Sequence, residues 1–143
     1  MTDAAELSKA WFAAIEGGDI EAAVALLADD VEFDTPTGPL RGAAAVRPFV
    51  QGYIDGFPDG RFEIKSEMSV GSRAAVEGVY AGTNSGSMAT PQGEMPATGR
   101  EVALPFVSII ETVDGERISS HRVYWDQMAF LAQLGMMGDQ PQG

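Results

Sequence analysis

Three side chains near the C-terminus could share one piece of chemistry. In the stretch His121 to Gly135, HRVYWDQMAFLAQLG, the first half alternates like a strand and the second half has helical spacing at Met128, Leu131 and Leu134. Asp126 stands at the junction, beside Tyr124 and Trp125. A carboxyl group there suits a general acid or base, because burial against aromatic rings raises its pKa towards the range where proton transfer is useful. Asp is also among the best helix N-caps, since its side chain accepts from the free N–H groups of the first turn. The two roles are compatible. Asp114-Gly115 is a strong hairpin signal. A two-residue turn without bulges pairs Val113 with Glu116, Val107 with Arg122, Pro105 with Tyr124 and Ala103 with Asp126. Alternation then places Arg122, Tyr124 and Asp126 on one face and His121, Val123 and Trp125 on the other. The face with three polar groups is the expected pocket wall, with His121 turned towards the surface or an interface. The competing expectation is a solvated face on which Arg122 forms an ordinary surface ion pair.

The elements that must position these groups follow from periodicity. Leu7, Ala10, Trp11, Ala14 and Ile15 make one apolar face of a helix over about residues 3 to 16, ended by Gly17-Gly18. Asp19 is placed to cap a short helix over Ile20 to Ala28. Val31 to Asp34 alternates as a strand, and TPTGPLRG after it reads as turns. Residues 43 to 56 carry a helical stripe of Val46, Phe49, Val50, Tyr53 and Ile54. Pro48 inside that stripe predicts a regular helix only from about Pro48, with 43 to 47 a looser turn. Phe62, Ile64, Met68 and Val70 alternate with polar residues as a half-buried strand, and Arg73 to Thr83 returns as its partner. Asn84 to Gly99 is rich in Ser, Gly, Pro and Thr, a loop long enough to be functional. Val102 to Thr112 and Arg117 to Trp125 are strands. Asp34 and Asp59 adjoin turns and read as capping or solvated.

Composition narrows the function classes. The chain has 143 residues, enough for one domain with a sizeable core; the domain is expected over residues 1–137, with a loose tail over 138–143. A net charge of −12 with only 9 Lys and Arg argues against nucleic acid or an anionic membrane as partner. No apolar run approaches the roughly 20 residues of a membrane span, and the acidic, polar N-terminus is unlike a signal peptide. With no cysteine, disulfides and thiolate chemistry are excluded, which fits a cytoplasmic protein. A single His argues against a dedicated metal site.

Helix, helix, strand, helix and then four long strands predict an α+β domain with helices covering one face of a bent, mostly antiparallel sheet. VALPFVSII is apolar at nearly every position, so both of its faces should be covered, one by helices and the other by a second subunit of a homodimer.

The chain resembles the SnoaL-like polyketide cyclases, within the nuclear-transport-factor-two-like superfamily of cone-shaped α+β domains. The residues that carry the likeness are the C-terminal YWDQMAFLAQLG, the central GTNSGSMATPQGEMPATGREVALP, IEGGDIEAAVALLADDVEF and FPDG. The resemblance implies a pocket between the helices and the concave face of the sheet, a cofactor-independent reaction and often a dimer through the sheet. It puts the acid/base role of an intramolecular aldol ring closure on Asp126. Tyr124, Asn84 or Arg122 would donate to the enolate, and Trp11, Phe12, Phe33, Tyr53, Phe57, Met68, Tyr80 and Phe106 would supply an apolar wall for a small, polyketide-like molecule. Many relatives carry GTH where this chain has Gly82-Thr83-Asn84, so a titratable group is replaced by a neutral amide. The alternatives are an epoxide-opening or isomerase-like enzyme using Arg122 and Asp126, and a non-catalytic carrier of small molecules.

Overall fold

Helix α1 (Ala4–Glu16) forms on the expected apolar face and buries Leu7, Trp11 and Ala14; Asp3 caps it, accepting from the Glu6 backbone N–H at 3.0 Å. Gly18, at φ 68°, turns the chain into α2 (Ile20–Ala25), which Asp19 caps as expected by accepting from the Ala22 N–H at 3.0 Å. The computed structural model describes residues 3–90 and 93–136; the tail expected after residue 137 lies outside them.

The expected strand at Val31 to Asp34 is longer than its alternation shows, and a second strand lies where turns were expected. β1 (Leu27–Thr35) starts earlier than Val31, and β2 (Gly38–Arg41) folds back on it. Helix α3 (Ala43–Gly56) runs unbroken through Pro48, against the expectation of a loose start. The proline removes the bond to the Ala44 carbonyl, but Ala44 and Pro48 are both exposed, so that lost bond costs less than it would in the core. The remaining elements are β3 (Arg61–Val70), β4 (Arg73–Thr83), the short hairpin β5 (Met88–Thr90) and β6 (Gly93–Met95) inside the expected loop, β7 (Glu101–Thr112), β8 (Ile118–Trp125) and α4 (Gln127–Gln133).

The main sheet has the order β2-β1-β8-β7-β4-β3, with only β1 and β8 parallel. It is the curved, mostly antiparallel sheet that the sequence predicts. α1 and α3 pack on its concave side, and the core lies between them.

Two register details decide which residues face that core. β3 slips against β4 between Ile64 and Ser66, so one extra residue near Lys65 reverses the alternation. Phe62 still faces inward opposite Tyr80, but beyond the slip Glu67 opposes buried Val76, and Met68 and Val70 point out at 69% and 84% exposure. The expected single face of Phe62, Ile64, Met68 and Val70 is thereby broken. Strand β8 pairs with β7 two residues away from the expected register, with Val107 opposite Tyr124 and Ile109 opposite Arg122. The connection is five residues long, held by Asp114 accepting from the Glu116 and Arg117 N–H groups at 2.8 and 3.0 Å. An even shift preserves the two faces but not their orientation. Ile110, Ser108 and Phe106 are buried on the inner face of β7 opposite His121, Val123 and Trp125, so those three point inward and Arg122 and Tyr124 point out.

Candidate functional site

Between α1, α3 and the concave side of the sheet lies a cavity with about 90 Å³ open to the centres of water molecules. α1 contributes Trp11, Phe12 and Ile15; α3 contributes Phe49, Val50 and Tyr53. The sheet supplies Phe33, Phe62, Tyr80, Leu104 and Phe106, with His121, Val123 and Trp125 from β8. Nine of these fourteen residues are Phe, Tyr or Trp and none is Asp, Glu, Lys or Arg, so the walls favour a flat, uncharged occupant. The rings brace one another at 4.7 Å for Phe12–Phe62, 5.2 Å for Phe49–Tyr53 and 5.8 Å for Trp11–Phe33. Glu16, at the end of α1, accepts from the Phe62 backbone N–H at 2.6 Å and ties the start of β3 to that helix.

The polar groups on the wall are few. His121 is buried, with Nε2 2.7 Å from the Ser108 hydroxyl and Nδ1 without a partner. Burial pushes its pKa down to about 3, and the Arg122 charge adds to the shift, so the imidazole is neutral near pH 7. Burial also raises the phenol pKa values of Tyr53 and Tyr80, the latter further through Tyr53 and Asp59. Both phenols therefore stay protonated near neutral pH.

The structure divides the expected site. Trp11, Phe12, Phe33, Tyr53, Tyr80 and Phe106 line the cavity. Phe57 is buried behind that wall, 5.7 Å from the Tyr80 ring and 6.0 Å from Phe130. Met68 lies outside because of the β3 slip. Arg122 donates to Glu111 at 2.7 Å on the outer face, where Arg73 also reaches Glu111 at 3.1 Å. Tyr124 is 54% exposed on the same face. Asp126 is exposed and caps α4, accepting from the Ala129 N–H at 3.0 Å. The wall expected from Arg122, Tyr124 and Asp126 is therefore corrected: the inner face of β8 carries His121, Val123 and Trp125, and the outer one carries the ion pair.

Asn84 is buried at 3% exposure but does not line the cavity. Its amide donates to the Gly56 and Gly86 carbonyls at 3.0 and 2.9 Å. Its oxygen accepts from the backbone N–H and hydroxyl of Thr98, each at 2.9 Å. The expected donor to a ligand is instead a clamp between the 84–99 segment and the end of α3. Asp34 pairs with Arg41 at 2.8 Å and Asp59 accepts from the Thr83 N–H at 2.7 Å, the modest roles expected of them.

His121, Phe49, Phe62 and Trp125 were missed as wall residues. Phe49 and Phe62 stood on recognised apolar stripes. His121 and Trp125 share a face that polar neighbours make look like the outer one, whereas the inner face of VALPFVSII is apolar apart from Ser108.

A curved sheet closed by helices around an apolar hollow defines the ketosteroid isomerase-like class of α+β domains. A hypothetical protein of that fold from Catenulispora acidiphila, in complex with trimethylamine, aligns at a TM-score of 0.74 with 23% identity, over 94% of this chain and 96% of its own. Within that class the chain belongs to the SnoaL-like domain family, whose sequence profile matches residues 8–121. It is similar to a candidate polyketide cyclase from Xanthomonas campestris pv. campestris, at 28% identity and a TM-score of 0.77, over 92% of this chain and 96% of that one. A candidate polyketide cyclase from Pseudomonas putida KT2440 gives 28% identity and 0.77, over 93% and 98%. No curated protein matches the sequence.

Proposed function

We propose that this domain binds a small, uncharged, flat molecule of polyketide type in its cavity and catalyses its intramolecular aldol-type ring closure without a cofactor. The observation that supports this reading best is the uncharged, largely aromatic lining of the cavity. Placing a carboxylate or ammonium there unpaired would cost several kcal/mol. Size sharpens the substrate class. A water needs roughly 10–15 Å³ of such space and takes about 30 Å³ of liquid, so the hollow matches a ligand on the order of 200 Å³, one or two fused rings.

In the proposed reaction a carbon next to one carbonyl loses its proton and bonds to a second carbonyl carbon, whose oxygen gains a proton. Folding both ends of one molecule into the hollow supplies much of the acceleration. Tyr53 is the candidate donor to the developing oxyanion, since the Tyr80 hydroxyl lies against Gly60. Asp126 lies outside the wall, which counts against its service as the base. Arg122 is engaged by Glu111, which removes support for the epoxide-opening alternative.

The test uses both tryptophans, which line the cavity and so report its occupancy. A bicyclic aromatic ketone carrying a 1,3-diketone side chain should quench their fluorescence and be cyclised; its carboxylate analogue should do neither. Asn caps a helix about as well as Asp, so Asp126→Asn separates chemistry from folding. Unchanged turnover and melting temperature are expected. Lost turnover with the fold intact would restore Asp126 as the base, and binding without turnover of any such ketone would leave a carrier.

The proposed homodimer rests on the outer face. Val107, Tyr124 and Met68 are exposed there around the Arg73–Glu111–Arg122 ion pairs. Sedimentation at micromolar concentration should give the mass of two chains, and Val107→Glu should give one; a wild-type mass of one chain sinks the dimer.

A further inference from the structure

Taking the cavity as the ligand site, we infer that His121 recognises the ligand's polar group, and that Ser108 holds the imidazole in its Nδ1–H form. The ligand must then offer a hydrogen-bond acceptor, such as a ketone oxygen.

The argument is a count of donors and acceptors. Ser108 is 1% exposed and His121 is 2% exposed, so neither can turn to bulk water. Their contact, 2.7 Å from Oγ to Nε2, holds one hydrogen, which either partner could supply. If Ser108 donates, the bond uses both the hydroxyl hydrogen and the Nε2 lone pair, and only Nδ1–H is left over. If Nε2–H donates, the hydroxyl hydrogen and the Nδ1 lone pair are both left over. Two unmet buried groups cost more than one, so the serine donates.

Nδ1 is the one buried side-chain nitrogen or oxygen without a partner among the described residues. Around the imidazole stand Phe33, with centroids 4.6 Å apart at 77°, and Trp11, at 5.6 Å and 86°. An N–H directed at a ring face is a weak substitute for a true acceptor. His121 lines the cavity together with both rings, so a ligand seated there lies against the imidazole, and a small displacement of its neighbours opens the buried Nδ1 to the ligand's oxygen. The interaction is neutral, because burial keeps the imidazole unprotonated. A neutral imidazole that donates to a carbonyl polarises it, which suits the electrophilic partner of the proposed ring closure. Ser108 is here a positioning residue, since it acts on the ligand only through His121.

The chain contains a single histidine, so a long-range ¹H–¹⁵N spectrum of the imidazole needs no assignment. At pH 7 the wild-type protein should show a protonated Nδ1 and an unprotonated Nε2. Adding 2-acetylnaphthalene should shift the Nδ1–H signal, whereas naphthalene, which lacks an acceptor, should fill the cavity with little shift. Tryptophan fluorescence reports occupancy for both. The ketone should bind about tenfold more tightly than the hydrocarbon, the value of one net hydrogen bond. That advantage should vanish in His121→Phe and shrink in Ser108→Ala, whose spectrum should also show protonation moving to Nε2. An Nε2–H form in the wild type, a ketone that occupies the cavity without moving the signal, or a cavity that admits neither probe overturns the inference. None of these readings depends on turnover, so failure here is distinct from failure of the ring-closure proposal.

Discussion

Lowering the pH from 7 to 4.5 is expected to remove about 2–3 kcal/mol of folding stability through His121 alone. Burial holds this imidazole's pKa at about 3 in the fold against 6.5 for an ordinary histidine. As the pH drops through 6.5 the unfolded chain takes up a proton that the folded one refuses, and mass action favours unfolding. The contribution is fully present above 6.5, is lost progressively below it and is exhausted near 3. The carboxylates act lower down. Hydrogen bonds from Arg122 and then Arg73 hold Glu111 below its ordinary value, and backbone N–H groups do the same for Asp114 and Asp59, so their losses begin only as the pH falls through the ordinary carboxylate values. Most of the loss between 7 and 4.5 is therefore the histidine's. Urea unfolding of wild type and His121→Phe at several pH values checks this. The variant should be nearly flat over the interval, whatever its stability at pH 7. A wild type equally stable at both ends would mean that His121 is not held neutral by its surroundings.

Asn84→Ala is expected to cost about 3 kcal/mol or more, because it strands several buried groups at once. The Gly56 and Gly86 carbonyls lose their donor, and the Thr98 N–H and hydroxyl lose their acceptor. The damage should reach the cavity as well. Gly56 ends α3, whose Val50 and Tyr53 form part of the wall, and Met88 sits so close to Gly56 that a Cβ there would clash with its Cγ. Asn84→Asp keeps the acceptor for Thr98 but turns a carboxylate towards two carbonyls, so it should be no milder near neutral pH. Thermal unfolding together with protease susceptibility of the 84–99 segment measures both variants. A full loss of turnover with unchanged melting temperature would instead give Asn84 a direct part in the chemistry.

The fold was legible because its signals are local. The Leu7, Trp11, Ala14 stripe and the caps Asp3 and Asp19 needed no tertiary information, and the YWD–QLG stretch carried the family resemblance. The site was half legible. Large apolar residues at the right spacing, such as Trp11, Phe33 and Tyr80, do line the hollow. The polar half went wrong because a face of a strand has no inside until its neighbours are placed. The five-residue β7–β8 connection and the β3 slip are non-local in effect, and nothing in the spacing of Ile64, Met68 or Arg122 announces them. Asn84 was read as chemistry because a polar residue in a long loop looks available, whereas all of its hydrogen-bonding capacity is spent within the protein.

The slip in β3 makes one ribbon of chain do two unrelated jobs. Upstream, Phe62 belongs to the chamber; downstream, Met68 and Val70 belong to the exterior. Pairing Lys65 in register, with no slip, would restore strict alternation, swinging Glu67 and Ser69 outward and thrusting the two apolar side chains beneath α1. The far end of this border strand is thus free to change its adhesive character, residue by residue, while the furnished interior a few ångströms away stays as it is.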